Sequence, residues 1–184
     1  MEFVLAAAGL ILYLLYDFGS VKGRQGMWSY LFYMGSVLWL TDVAISLAKA
    51  GPCMHAVLLL PAILFLLLTA YAVFFAIPFD GKALKGEQTV FTDGVYALCR
   101  HPGVMFLVIG LLFLSSAFAS VSLWKSCLSV SVCNFLYAAV QDVWTFPKTL
   151  RGYDAYKRET RCFLITPGSI KKCLSYYRRN RHEG

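Results

Sequence analysis

Charge is scarce in this sequence. Asp, Glu, Lys and Arg make up 15% of its 184 residues, whereas soluble globular domains average about 25%. Hydrophobic residues make up 59% of the chain, and its mean hydropathy is +0.62. A composition this poor in charge excludes an ordinary soluble globular protein and indicates a membrane protein.

The first residues also have little of what a secretory signal requires. The first apolar run follows Glu2 rather than a basic segment, and no cleavage pattern comes after it. We therefore predict that this run is a retained first transmembrane span.

The six cysteines lack the usual pattern of a zinc site, since no C-x-x-C spacing occurs. We interpret them as small apolar residues of a core in a reducing compartment. The sequence accordingly predicts neither a metal site nor disulfide bonds.

Long apolar runs are what the sequence has in abundance. A membrane-spanning helix needs roughly 20 mostly apolar residues, and five candidate runs occur. They cover residues 3–21, 26–48, 56–79, 103–124 and 126–140, the last extending toward Phe146 if Asp142 is tolerated. These runs predict an all-α, polytopic membrane bundle of about five transmembrane helices. The last two are expected to form a hairpin with residues 120–125 at its tip.

Two of these runs contain a carboxylate. We expect Asp17 to lie at the membrane interface. Asp42 is expected either to join a polar network or to lie near the boundary of its span, because an unpaired charge within a bilayer is costly.

The basic residues are concentrated at the C-terminal end. From residue 148 onward there are ten Lys or Arg and three Asp or Glu, which account for the whole net charge of +7. Because cytoplasmic segments of membrane proteins are enriched in Lys and Arg, we predict a cytoplasmic C-terminus and, with five spans, an N-terminus outside. The membrane would be a bacterial plasma membrane or the endoplasmic reticulum. The basic tail leaves a membrane helix directly, so it indicates a headgroup surface rather than nucleic acid as its partner.

The chain divides into three regions on this interpretation. Residues 1–79 hold three transmembrane helices, residues 80–167 form a core with the only long cytoplasmic loop, and residues 168–184 are an amphipathic, basic tail.

Polar residues meet at one membrane level in the core. Arg100 and His101 precede Pro102, and proline is favoured at the first position of a helix. Gln141 and Asp142 come at the end of the returning helix, so the hairpin brings the two pairs to the same face of the membrane. A simpler explanation also stays open, in which Arg100 and His101 anchor one helix at the interface and Asp142 ends the other.

The ordered set "TDGVYALCRHPG", an apolar hairpin, "QD" and "GYDAYKRETRCFLITP" resembles the isoprenylcysteine carboxyl methyltransferase family. It is similar, more loosely, to the phospholipid N-methyltransferases. The resemblance covers residues 90–167. It implies a membrane-embedded enzyme that transfers a methyl group from S-adenosylmethionine to a lipophilic acceptor entering from the bilayer.

The resemblance also implies a set of site residues. Arg100, His101 and Asp142 are the catalytic candidates. The cofactor-binding candidates lie in the loop before the hairpin and in the segment after it: Tyr96, Arg100, His101, Pro102, Gln141, Asp142, Tyr153 and Tyr156. Tyr137 stands where the isoprenylcysteine enzymes have an arginine, so the expected acceptor is another small lipophilic or lipid-anchored molecule.

These residue types suit the cofactor's chemistry. A guanidinium and helix N-terminal amides bind a carboxylate, carboxylate and amide oxygens accept from ribose or amino groups, and aromatic rings flank an adenine. His101 is the candidate base, because its ordinary pKa lies near neutrality. Two alternatives remain: a catalytically inactive relative that binds lipid or a protein partner, and an NADPH-dependent membrane reductase of the sterol-reductase type.

Overall fold

The computed structural model describes residues 2–23, 26, 28–77 and 89–180, and over these ranges the protein is an all-α bundle with no β-sheet. The predicted fold class is confirmed. The α-helices are α1 (Glu2–Val21), α2 (Ser29–Ala48), α3 (Leu59–Phe74), α4 (Pro102–Phe118), α5 (Val121–Val140), α6 (Phe146–Thr149), α7 (Tyr153–Glu159) and α8 (Pro167–Asn180). A 3-10 turn, Ala56–Leu58, precedes α3, a second, Gly94–Ala97, precedes α4, and a π-helical turn, Gln141–Thr145, joins α5 to α6.

Four of the described helical segments are long and apolar enough to cross a membrane: Phe3–Val21, Ser29–Ala48, Ala56–Phe74 and Val121–Thr149. The fifth apolar helix, α4, has 17 residues, at the short end of the range for a span. The last long segment runs through Asp142 to Thr149, which confirms the expected extension toward Phe146. Residues 78–88, which include the end of the expected third span and most of the loop from residue 80, lie outside the described residues.

The tip of the hairpin lies earlier in the chain than the sequence indicated. Helix α4 ends at Phe118, Ala119 adopts a left-handed conformation with φ of 50°, and α5 begins at Val121. Ser120 caps the new helix, because its hydroxyl accepts a hydrogen bond from the Leu123 amide. Trp124 and Lys125 therefore belong to α5, and the expected tip at residues 120–125 is wrong.

The core joins α1, α2 and α5 through aromatic rings. The rings of Tyr13 and Tyr137 stack with centroids 4.7 Å apart, and Trp39 meets Tyr13 edge-on. The indole of Trp39 donates a hydrogen bond to the Ala6 carbonyl at 3.0 Å. These contacts are tight because α1 and α2 approach closely at small residues, the arrangement that van der Waals packing between membrane helices favours.

Contacts between the helix ends fit an up-and-down path. Asp17, near the end of α1, contacts Thr145 after α5, whereas Asp42, late in α2, contacts Ser126 early in α5. Helix α3 packs along α4, and the Met54 amide before α3 donates to the Ala117 carbonyl at the far end of α4. The segments that precede α4 and follow α5 consequently lie at the same end of the bundle.

Candidate functional site

An ion pair joins the two segments that the sequence expected to meet. The Nε and Nη2 atoms of Arg100 donate to the two carboxylate oxygens of Asp142, at 2.8 and 2.9 Å. Both side chains are 9% exposed. Burial alone would lower the pKa of Arg100, but the hydrogen bonds and charge of Asp142 outweigh this effect and raise it. The guanidinium therefore stays charged and binds the carboxylate through two parallel hydrogen bonds, a bidentate geometry that lysine cannot provide.

The Asp142 carboxylate also contacts two donor groups of α7. The Tyr153 hydroxyl donates to it at 2.5 Å, and the Lys157 ammonium lies 3.4 Å away. Burial and the bond to Asp142 raise the pKa of Tyr153, so that the phenol is a neutral donor. Asp142 is thus held on three sides, which is how a carboxylate at a membrane level is made tolerable.

Arg100 also fixes the segment after α7. Its Nη1 atom donates to the carbonyls of Lys157 and Thr160, at 3.0 and 2.8 Å. The backbone follows the same path, because the Arg100 and His101 amides donate to the carbonyls of Arg161 and Cys162. The R-H-P segment and residues 157–162 therefore form one unit.

The two other candidate tyrosines support this unit. The Tyr156 hydroxyl donates to the Tyr96 carbonyl at 2.6 Å, and the Tyr96 hydroxyl donates to the Ala72 carbonyl of α3 at 2.9 Å. Burial raises the pKa of Tyr96 to about 12, so it is a neutral donor. Pro102 begins α4 as expected and is buried. In the structure these residues hold the loop, and cofactor contact by them stays a prediction.

His101 has an unused nitrogen in a buried position. The residue is 5% exposed, and its Nε2 atom lies 3.5 Å from an Asp142 oxygen but makes no hydrogen bond. Its ring stacks on Phe146 and tilts against Phe163, with centroids 5.8 and 5.6 Å apart. Burial lowers the pKa of His101 to about 4, although Asp142 acts in the opposite direction. The imidazole is consequently neutral near pH 7.

The π-helical turn Gln141–Thr145 contributes to two buried carboxylate sites. Asp142 accepts from Arg100, whereas the Thr145 hydroxyl donates to Asp17 of α1 at 2.6 Å, as the Tyr137 hydroxyl does at 2.9 Å. Gln141 is partly exposed, and cofactor contact by it stays a prediction. π-Helical turns inside α-helices occur frequently at functional sites. Here the turn directs Asp142 to Arg100 and Thr145 to Asp17.

Asp17 is a site-supporting residue that the sequence reading missed. It is 1% exposed and lies between helices near the end of α1, and its expected position at the membrane interface stays a prediction. Two hydroxyl donors, those of Tyr137 and Thr145, satisfy the buried carboxylate. In the sequence, the only signal for a buried Asp17 was the rule that a carboxylate within a membrane span needs polar partners. Asp42 is likewise buried and accepts from Ser126 at 2.8 Å, so of the two expectations the polar network is confirmed.

A possible metal-ligating set overlaps the cluster. His101, Asp142 and Cys162 place their ligand atoms within 4.8 Å of one another, and imidazole, carboxylate and thiolate all bind zinc. The sequence could not reveal this set because its members come from three separate segments. The carboxylate, however, already faces Arg100 and Lys157, so a divalent ion would sit against two positive charges. A cofactor without a metal therefore suits the cluster better.

A cavity of about 350 Å³ adjoins the cluster. It is lined by residues 147–154, and Tyr153 is shared between its wall and the hydrogen bonds of Asp142. Lys148 lies on the same wall. The volume is at the lower end of ligand pockets, which range from about 300 to 1,000 Å³.

The cluster contains groups of the kinds predicted to bind S-adenosylmethionine, and binding itself stays a prediction. The unpaired Nε2 of His101 offers a polar contact, and the rings of Phe146 and Phe163 offer apolar walls. The two oxygens of Asp142 already accept from Arg100 and Tyr153. Arg100 was expected to bind the cofactor. In the structure its guanidinium is engaged at both ends by hydrogen bonds to Asp142 and to two backbone carbonyls. Its geometry is that of a residue that positions Asp142.

No family model, curated protein or solved structure matches the chain. The relationship to the methyltransferase family therefore stays a proposal.

Proposed function

We propose that this protein is a membrane-embedded methyltransferase that uses S-adenosylmethionine and acts on a small lipophilic or lipid-anchored acceptor. One observation carries the proposal: Arg100 of the R-H-P element and Asp142 of the Gln-Asp element form a buried bidentate pair although they are 42 positions apart. Two elements of one site must lie together, and this contact supports the proposal because it brings them together.

The residues have separate roles on this proposal. When bound, the cofactor would supply a methyl group on a sulfonium centre: an acceptor lone pair would bond to the methyl carbon in line, and the C–S electron pair would leave with the sulfur as a neutral thioether. Arg100 and Tyr153 hold Asp142 in place, and Asp142 would supply negative charge to the cofactor site. His101 contributes its free Nε2, and Phe146 and Phe163 beside it exclude water. Positioning and a dry site are what such a transfer needs most.

The low pKa of His101 restricts which chemical class of methyl acceptor the site can use. A base with a pKa of about 4 removes protons poorly near neutral pH. An acceptor whose attacking atom has no proton to lose, such as a carboxylate, needs no such base. An anionic or otherwise deprotonated lipophilic acceptor therefore suits this site better than an alcohol.

The orientation belongs to the same proposal. The ends of the helices that carry Arg100 and Asp142 lie together, and the basic residues from 148 onward follow directly. With the positive charge inside, the site opens to the cytoplasm and the N-terminus lies outside.

Cofactor titration by calorimetry tests the proposal. The detergent-purified protein is titrated with S-adenosylmethionine and, separately, with NADPH. We expect saturable binding of S-adenosylmethionine only. His101→Ala should weaken that binding at least about tenfold, because it removes the free polar atom and part of the aromatic wall. His55→Ala, which changes an exposed histidine at the opposite end of the bundle, is the matched control.

Each outcome distinguishes one function. Binding that depends on His101 supports the methyltransferase, and transfer of labelled methyl groups into extracted lipids would then identify the acceptor class. Binding of NADPH in place of S-adenosylmethionine would reject it in favour of the reductase. Absence of binding to either cofactor by a folded protein would reject both enzymes.

A second candidate, a catalytically inactive relative, is favoured by a specific feature. Arg100 is bound at both ends by groups of the protein itself, so its guanidinium closes the site without any ligand. On this alternative the ion pair is a structural clamp, and the protein binds lipid or a protein partner in the membrane.

A further inference from the structure

The C-terminal helix α8 carries an exposed apolar stripe. Ile170, Leu174 and Tyr177 are spaced by four and three residues, so they lie on one face of the helix. Their exposed fractions are 44%, 57% and 38%. Leu164 and Ile165 in the preceding segment are exposed as well. A soluble surface helix would direct such a stripe to the core, so these side chains need another apolar surrounding.

The charges on α8 are all of one sign. Lys171, Lys172, Arg178 and Arg179 are exposed, and no acidic residue occurs between positions 160 and 180. A helix that combines an apolar stripe with lysine and arginine is typical of segments that lie in the headgroup region of a membrane. The cations attract anionic lipids, and the stripe enters the boundary of the acyl chains.

Contacts with the bundle fix α8 at the appropriate level. The Tyr177 hydroxyl lies 2.9 Å from that of Tyr71, in the last turn of α3. The residues just beyond that turn, Phe75 and Ile77, are exposed and apolar, as expected at the end of a membrane span. Helix α8 therefore lies where the α3 span leaves the bilayer.

The inner face of α8 covers the turn Gly94–Ala97. Cys173 is buried and the Tyr176 ring meets Phe91 edge-on, with centroids 6.3 Å apart. Gly94 has a φ of 58°, and a Cβ there would lie 3.1 Å from the Tyr177 hydroxyl. This turn contains Tyr96, whose carbonyl accepts from Tyr156. Helix α8 therefore packs on a segment that is hydrogen-bonded to α7, next to the loop that carries Arg100.

We propose that α8 is a binding element for anionic lipid headgroups and that this binding holds the Gly94–Ala97 turn against the bundle. Charge complementarity selects the lipid surface as the occupant, and the apolar stripe favours it over nucleic acid, which would leave Ile170 and Leu174 in water. The inference does not depend on the proposed methyltransferase function.

Amide hydrogen exchange in lipid nanodiscs tests the inference. The full chain is compared in phosphatidylcholine bilayers and in bilayers that also contain phosphatidylglycerol. We expect the amides of α8 and of the Gly94–Ala97 turn to exchange more slowly in the anionic bilayer, by about fivefold or more, since each lysine or arginine near such a surface contributes about that factor. High salt should remove the difference, because it screens surface charges.

Charge variants make the result specific. Lys171→Gln combined with Lys172→Gln should abolish most of the lipid dependence. Lys49→Gln combined with Lys125→Gln, which removes the same charge at the opposite end of the bundle, should preserve it. Equal exchange in the two bilayers would overturn the inference. So would a lipid dependence that the α8 variant leaves unchanged.

The apolar stripe has its own test. Leu174→Ser should speed exchange of α8 in the anionic bilayer, whereas Leu128→Ser, at an exposed position of α5, should not. If the two variants behave alike, the stripe does not contact lipid and the inference fails.

Discussion

The phenol of Tyr137 donates a hydrogen bond of 2.9 Å to the buried carboxylate of Asp17, although 120 positions separate the two residues. The Thr145 hydroxyl donates to the same carboxylate at 2.6 Å. This contact ties the first helix to the π-helical turn that carries Asp142. The geometry of the candidate site therefore depends on a residue near the start of the chain.

Replacing Asp17 should destabilise the bundle. Asp17→Ala leaves the hydroxyls of Tyr137 and Thr145 without their acceptor, at a cost of about 2 kcal/mol. Asp17→Asn keeps the size and one acceptor oxygen, so its cost should be about half as large. Chemical unfolding in mixed micelles measures both. Ser116→Ala is the control, because that hydroxyl is exposed and bonds only within its own helix; an equal effect there would contradict the prediction.

The Arg100–Asp142 pair should show strong energetic coupling. Either single alanine variant leaves a buried charge without its partner and should cost about 3 kcal/mol in unfolding free energy. The double variant should cost less than the sum of the two, with a coupling of about 2 kcal/mol. Asp154 and Arg158, which are exposed and four residues apart on α7, form a matched cycle that should couple far more weakly. Additive losses at Arg100 and Asp142 would show that the pair is not a clamp.

Stability should fall on acidification because of His101. Burial lowers its pKa in the folded protein to about 4 from the usual 6.5. Between these values the unfolded chain binds a proton that the folded protein does not, so stability decreases as the pH falls from 6.5 to about 4 and is unaffected by this group above 6.5. The full loss is about 3 kcal/mol. Unfolding of His101→Gln measured across this window should lack that part of the slope, whereas His55→Gln should keep it.

The thiol of Cys99 should be protected in the folded protein. Cys99 is 0% exposed, and burial raises its pKa to about 11. Because the thiolate is the reactive form, alkylation of Cys99 should be at least about a hundredfold slower in the native protein than in the denatured chain. Time-resolved mass spectrometry measures both rates. Arg100→Ala should speed the native reaction, since Arg100 holds the adjacent loop; an unchanged rate would mean that the loop closes without it.

The sequence predicted the elements of the fold well because membrane helices are specified locally. Every backbone amide inside a bilayer must be satisfied within its own helix, so a long apolar run is sufficient evidence for a span. The boundaries were less certain where composition did not change. The apolar character of α4 continues into α5, so the tip of the hairpin depended on Ser120 as a cap and on the backbone of Ala119.

The candidate site was predicted only in part. The meeting of Arg100 with Asp142 followed from the antiparallel hairpin, and their contact is present. The π-helical turn Gln141–Thr145 could not be foreseen, because such a turn has no clear sequence signal and depends on what surrounds it. The Asp17 network and the closeness of Cys162 to His101 were missed for a similar reason.

The sequence by itself determined that this is an all-α membrane protein with a basic C-terminal end and with polar residues gathered at one end of a hairpin. Those features follow from hydropathy and charge, which act along the chain. Only the tertiary structure decided that Arg100 is bound by the protein's own carboxylate, that His101 Nε2 is left free, and that Asp17 supports the site. Hydrogen bonds between helices depend on distances of a few tenths of an ångström, and those distances are set by packing in three dimensions.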